Sequence, residues 1–498
     1  AGPAVTGRVS VADGGGQGPT GVKGDLFVLS GDGRFAAFTT ADALVASDTN
    51  GFADAYLRDR TGGTTRRVSL RDDDTQIAYP SWVCGMSANG RFIAFTSSGV
   101  DLPNDAGTQV YLRDRGKGTT TLISQSTGGD PSLASNGESG IDVGPCDVSD
   151  DGRYVAFLSY AENLAGGDEN GLNIDVFRRD TLDESTQRVN VSTGGLGANG
   201  GTDHLSMSAD GATIAFDSAA TNLVAADSNN KTDVFVRLMG TSQTLRVSTT
   251  TGGAQLTKES TYPSISSDGN RVAFLSAATN LVANDTNAKD DVFVRDRTAN
   301  TITRASLMPD GSQATGNATD PDLSGDGTVA TFTLYDPVAT AADPNGDDDV
   351  FRRDLDTATT TAVSVTPAGV TGNDQSFPSR LSADGDAIAF CSDASDLVRN
   401  DTNGHTDLFV RDIGLDITPF LSIEAFIRQQ FVDFAGRQPT AGELATWKDR
   451  FTWGERSPDE LVDDLAHTSK WAGKRAPLTR LYWAFFHRVP DTGGMAFW

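Results

Sequence analysis

Gly33, Gly90, Gly152, Gly211, Gly269, Gly327 and Gly385 recur at spacings of 57, 62, 59, 58, 58 and 58 residues. Each follows an Asp, except Gly90, which follows Asn89, and each precedes a short apolar run such as Val272-Ala273-Phe274. A period this regular across most of a 498-residue chain marks a repeat architecture, whose units bury their apolar faces on their neighbours.

Each unit carries four strand signals. In the fifth they are Tyr262-Pro263-Ser264-Ile265-Ser266, Arg271-Val272-Ala273-Phe274-Leu275-Ser276, Asp291-Val292-Phe293-Val294-Arg295 and Thr301-Ile302-Thr303-Arg304-Ala305-Ser306. Asp268-Gly269 makes a tight hairpin between the first two strands, and Asp296 to Asn300 a short turn between the last two. Four antiparallel strands in each of seven units, with no helical periodicity, specify an all-β seven-bladed β-propeller. The seventh unit stops after Asp407-Leu408-Phe409-Val410-Arg411-Asp412, without a fourth strand. The missing strand stands at the other end of the chain, Gly7-Arg8-Val9-Ser10-Val11. An N-terminal strand that closes the last blade removes the sheet edges that invite aggregation. The connections between strands two and three and between blades are long, and both emerge on one face. Binding concentrates on such loops, carried by a rigid scaffold.

Lys and Arg number 40 against 67 Asp and Glu, a net charge of −27. That balance repels phosphate backbones and anionic lipid and favours cations or basic partners, so neither nucleic acid nor a membrane surface is an expected partner. No apolar run approaches the roughly 20 residues that span a bilayer. The start at Ala1, in Ala-Gly-Pro-Ala, reads as a mature N-terminus after removal of a signal peptide, so a secreted, extracellular or cell-surface location is expected. Cys84 and Cys146 each stand six residues before their unit's turn glycine, at equivalent positions of neighbouring repeats. They are a candidate disulfide in an oxidising setting; the other reading is two small buried thiols. Cys391, after Phe390, reads as core.

Ser149-Asp150-Asp151-Gly152-Arg153-Tyr154-Val155-Ala156-Phe157, with the later Val-Phe-Val-Arg-Asp and Thr-Arg-Val-Ser elements, resembles the TolB-type, WD-like propeller repeats of bacterial exported proteins. The resemblance covers roughly residues 1 to 413 and implies the propeller fold together with a role as an interaction platform, without shared catalytic residues. The second unit departs from it with Ala88-Asn89-Gly90, and the fourth and sixth lack the arginine after the glycine.

On the loop-rich face the connection between strands two and three ends in Asp-x-Asn with a second Asp six residues after the first. The sets are Asp48, Asn50, Asp54; Asp227, Asn229, Asp233; Asp285, Asn287, Asp291; Asp343, Asn345, Asp349; and Asp401, Asn403, Asp407. The third unit is one residue wider, Asp168, Asn170, Asp175, and the second unit, Asp105 to Gln109, has lost the pattern. Hard cations take oxygen ligands from such residues, which makes these candidate Ca²⁺ sites, and packed carboxylates repel unless a cation neutralises them. The competing reading is turn chemistry, in which Asp and Asn bond their own loop amides.

Of four histidines, His204 and His405 lie in the repeats, neither beside a nucleophile in a recognisable setting, and no zinc-type cluster is present. Carboxylate pairs for glycoside hydrolysis remain open, because sequence spacing does not give separation in space.

After 1–413 and a linker, 414–421, the pattern turns helical over 422–498. Ser422 is placed to cap a helix through Phe431, with further helices from about Ala441 to Phe451 and from about Pro458 to Trp471. Phe434, Arg437, Pro439, Gly442 and Trp447 recur 51 residues later as Phe485, Arg488, Pro490, Gly493 and Trp498. Phe434-Ala435-Gly436-Arg437-Gln438-Pro439 and Phe485-Phe486-His487-Arg488-Val489-Pro490-Asp491 resemble the phycobilisome-linker-like helical domain of secreted bacterial proteins. The pattern breaks off at Trp498 within the start of another helix, so the domain reads as incomplete. Trp447, Trp453, Trp471, Tyr482 and Trp483 are core residues on one reading and a self-assembly surface on the other. The functional expectation is a secreted, non-catalytic binding or assembly scaffold with a protein or glycan partner on the loop-rich face. A carbohydrate-active propeller enzyme, hydrolase or lyase, is the alternative.

Overall fold

The computed structural model describes residues 4–98, 107–127, 145–166, 170–171, 173–335, 343, 345–414, 420, 422–453, 456 and 458–466. Seven four-stranded antiparallel sheets form a β-propeller. The fifth blade's strands are Ser260–Ile265, Arg271–Ser276, Asp291–Asp296 and Thr301–Arg304, and the other blades follow the same plan. In the seventh, the N-terminal strand Val5–Arg8 pairs with Asp407–Asp412. This strand lies slightly earlier than Gly7 to Val11. Val9 donates its N–H to the Leu408 carbonyl, while Val11 turns away to bridge Gln17. Every fully described blade repeats that turn, as in Val68 to Ala55 and Leu70 to Gln76, which puts Arg8 in the position of Arg67.

One aromatic pair fills each blade. Phe38–Tyr56, Phe95–Tyr111, Phe157–Phe177, Phe216–Phe235, Phe274–Phe293, Phe332–Phe351 and Phe390–Phe409 pack with centroids 5.7–6.2 Å apart. In the registered pairs they are direct partners across strands two and three, such as Phe216 and Phe235, so the period-two alternation of both strands converges on one buried layer.

The turn glycines close the ring. All seven have φ between 66° and 73°, a region that side chains with a Cβ rarely enter. A Cβ on Gly152 would meet the Phe92 ring of the preceding blade at 2.4 Å, and one on Gly33 would meet Ala387 of blade seven at 2.6 Å. Each turn thus abuts the second strand of the blade before it, which requires glycine twice over. Backbone hydrogen bonds link the turns in sequence around the axis. Asp150 donates to Ala209, Ala209 to Ser267, Ser267 to Gly325, Asp326 to Ala383, Ala383 to Gly31 and Gly31 to Ala88.

Cys84 and Cys146 form a disulfide between blades two and three, with Cα atoms 5.0 Å apart and 62 residues between them in sequence. The Cys391 thiol is fully buried. Substituting both cystine residues by Ser is expected to lower stability by about 2–4 kcal/mol, from the freed loop entropy of the unfolded chain. Urea unfolding of the double variant beside the oxidised parent checks this.

The chain divides into two compact units, Val9–Leu397 with Asp401–Val410, and a second that takes in the residues up to Arg8, Val398–Asn400 and Arg411 onward, with the helices. Its helices are α1 (Ile423–Gln430), α2 (Ala441–Thr452) and α3 (Pro458–Ala466). The Ser422 hydroxyl accepts the Ala425 N–H, and Thr440 with Glu443 forms a capping box on α2. After α1 the chain winds one wider π-turn, Phe431–Ala435, and Gly436 at φ 68° ends it. Phe426, Ile427, Phe431, Phe434, Trp447, Phe451, Leu461 and Leu465 form one core. Most of the 414–421 linker, the end of the third expected helix, the second half of the duplication, and Trp471, Tyr482 and Trp483 lie outside the described residues.

Candidate functional site

The third strand of every blade carries a buried acceptor at its first residue or, in blade two, its second. Asp54, Gln109, Asp175, Asp233, Asp291, Asp349 and Asp407 accept hydrogen bonds of 2.5–2.8 Å from Ser69, Ser124, Asn190, Ser248, Ser306, Ser364 and Ser10, just beyond the fourth strands. The loop aspartate lies close by. Asp48, Asp227, Asp285 and Asp401 accept from the side-chain amides of Gln76, Gln255, Gln313 and Gln17 at 2.7–3.0 Å. Asp168 lies outside the described residues.

Arginine neutralises these carboxylates from within the blade. Arg67 Nη1 lies 3.4 Å from Asp48 and 3.8 Å from Asp54. Arg246 lies 3.4 Å from Asp227 and 3.1 Å from Asp233, and Arg304 is 3.5 Å from both Asp285 and Asp291. Arg188 is 3.5 Å from Asp175. The expected repulsion is therefore met in these four blades by a buried guanidinium. Burial still pushes Asp54 up to about 6, against the Ser69 hydrogen bond and the Arg67 charge that favour its ionised form.

The asparagines are staples. Asn50 donates its amide to Asp54 at 3.0 Å and to the Ile77 carbonyl at 2.9 Å, while its oxygen accepts the Phe52 N–H. Asn229, Asn287, Asn345 and Asn403 likewise donate to Leu256, Ala314, Gly372 and Gly18 carbonyls and accept the N–H of Lys231, Lys289, Asp347 and His405. A carbonyl on one side and an N–H on the other dictate which way each amide faces. These five asparagine oxygens are thus engaged by their own loops, and the groups tie each loop to the segment leading into the next blade.

The surface above the staples is where aromatic side chains emerge. Phe52, Tyr79, Tyr262 and Tyr335 are the exposed large aromatics among the described residues. Phe52 and Tyr335 stand in connections between strands two and three, Tyr79 in an inter-blade segment, and Tyr262 near the start of a first strand, so all four belong to the loop-rich face. Tyr262 holds a φ of 55° and packs against His204, centroids 3.8 Å apart with the rings tilted by 31°. His204 Nδ1 is 2.7 Å from Asp217 Oδ2, and Asp217 also accepts the N–H groups of Asp203, His204 and Tyr262. His405 is exposed on its loop. The contact between His204 and Asp217 joins the residue just before the first strand of blade four to one on its second strand, with no motif between them, which is why sequence reading missed it.

No family model and no curated protein matches the chain. Among solved structures it is similar to a putative TolB from Agrobacterium tumefaciens, at 13% identity over 70% of this chain and 94% of that one, with a TM-score of 0.37. It is also similar to the β-propeller domain of the Trilobed protease from Pyrococcus furiosus, at 9% identity over 78% and 95%, with a TM-score of 0.46. A third is dipeptidyl peptidase 4 from Porphyromonas gingivalis, at 11% identity and a TM-score of 0.42, where the match covers 73% of this chain and 48% of that one.

Proposed function

We propose that this propeller is a binding scaffold of the bacterial cell exterior, which engages a protein or glycan through its loop-rich face. The observation that carries this reading is that Phe52, Tyr79, Tyr262 and Tyr335 all emerge on that face, above loops stapled by asparagine. Tyrosine and phenylalanine supply large contact area at low entropic cost, and rigid loops lose little freedom on binding. A secreted setting fits the disulfide between blades two and three.

The test is native affinity electrophoresis in gels cast with xylan, pectin or β-glucan, run beside a variant with all four aromatics changed to Ala. Retardation of the parent by at least one polymer, lost in a variant that melts like the parent, is the expected result. Assay of the same mixtures for reducing ends addresses the second reading, a carbohydrate-active enzyme. That reading draws on the imidazole of His204 held by the buried Asp217 beside Tyr262. Sugar release abolished by His204→Ala would replace the scaffold reading with it.

A further inference from the structure

The arginine that neutralises the acidic pair stands 13 residues after the strand-three aspartate, as in Asp54 and Arg67, Asp175 and Arg188, Asp233 and Arg246, and Asp291 and Arg304. Blade two lacks both members, with Gln109 and Leu122 in their places. Losing them together removes one positive and one negative charge, so that interior stays balanced. Blade six does something else. It keeps Asp343 and Asp349, but Ala362 replaces the arginine and Thr371 replaces the glutamine of blades one, four, five and seven. Two long side chains, one a cation, are gone from beside two retained carboxylates.

Asp349 is 2% exposed; its Oδ1 accepts from Ser364 at 2.7 Å, its Oδ2 has no partner at ordinary hydrogen-bond distance, and the Thr371 hydroxyl favours the ionised carboxylate only weakly. An oxygen without a donor is shared with Asp291 of blade five, but there Arg304 stands 3.5 Å away, whereas blade six has Ala362 in that place. A buried carboxylate oxygen without a donor is costly, and the Asp343 carboxylate adds like-charge repulsion. Burial, reinforced by Asp343, pushes Asp349 up to about 7. The Thr371 hydroxyl stands 3.5 Å from Asp343 Oδ1, and Asp347 and Asp348 lie on the same loop.

We propose that blade six binds one divalent cation of the Ca²⁺ class between Asp343 and Asp349, in the place that arginine fills in its sister blades. A hard cation suits this donor set. It takes carboxylate, hydroxyl and carbonyl oxygens at flexible geometry, and loop carbonyls and water complete the shell beyond two carboxylates. Ala362 and Thr371 are both shorter than the arginine and glutamine that reach the acidic pair in the sister blades. The proposal is independent of what the loop-rich face binds.

Calorimetric titration of the chelator-treated full chain with CaCl₂ at pH 8 is expected to show about one ion per chain. At a hundredfold excess over Kd, Tm is expected to rise by roughly 3 °C. Ala362→Arg, which installs the guanidinium of the other blades, is expected to take up no Ca²⁺ and to melt independently of it. Asp349→Asn, nearly isosteric, provides a second arm if the arginine variant does not fold, and it too is expected to abolish uptake. No uptake by the parent, uptake of several ions per chain, or uptake that survives either substitution overturns the proposal.

Discussion

Replacing Arg246 with Ala is expected to cost about 3–5 kcal/mol, because it leaves two carboxylates in the interior of blade four without a counter-ion. Asp233 is fully buried, and the Asp227 side chain is 1% exposed. Both lie within 3.4 Å of the Arg246 guanidinium, so its removal strands both charges at once. Screening by salt does little for a pair so far from water. A second variant separates this from lost packing. Asp233→Gln with Arg246→Leu copies the solution that blade two uses at Gln109 and Leu122, where the Ser124 hydroxyl donates to the Gln109 amide oxygen at 2.5 Å. Replacing a buried ion pair by neutral groups of similar volume is often close to neutral, so the double variant should recover the part of the loss that comes from Asp233, while Asp227 stays without its arginine. Urea unfolding of the parent, the single and the double variant measures both. A single variant within 1 kcal/mol of the parent would show that the carboxylates find another partner.

Deleting Val5–Val11 is expected to be more damaging still, lowering Tm by about 10 °C or more. The deletion removes the outer strand of blade seven, takes the buried Val9 from its core, and strips Asp407 of the Ser10 hydroxyl at 2.6 Å. It also uncovers the backbone of Asp407–Asp412 as a free sheet edge, which favours association between chains. Light scattering should therefore rise with the fall in Tm. A synthetic peptide spanning residues 4–12, added in excess, is expected to restore part of the lost stability by occupying the vacated edge. An unchanged Tm would mean that the ring holds without its closing strand.

Much of this molecule is legible from local pattern. The turn glycines, the alternating strands and the orphan strand at the N-terminus point to seven blades and their closure, because turn and strand preferences act over a few residues. The equivalent positions of Cys84 and Cys146 likewise marked them as a pair to test. The acidic loops were visible as a repeated set, but their chemistry was not, since the residue that answers them sits on another strand. Arg246 pairs in register with Phe235, and period-two alternation puts Asp233 on the same face as Phe235. The offset of 13 residues between Asp233 and Arg246 was present in the chain all along, yet it acquires meaning only when the third and fourth strands lie side by side.

The sequence by itself determined the number of blades, the turns and the face on which loops gather, since those follow from contacts between near neighbours along the chain. Only the tertiary structure decided which carboxylates are neutralised by arginine, which way the asparagine amides point, and that Asp349 keeps an oxygen without a donor at ordinary hydrogen-bond distance. These are questions of distance and burial between segments, and a charge buried beside its counter-ion behaves differently from the same charge buried alone.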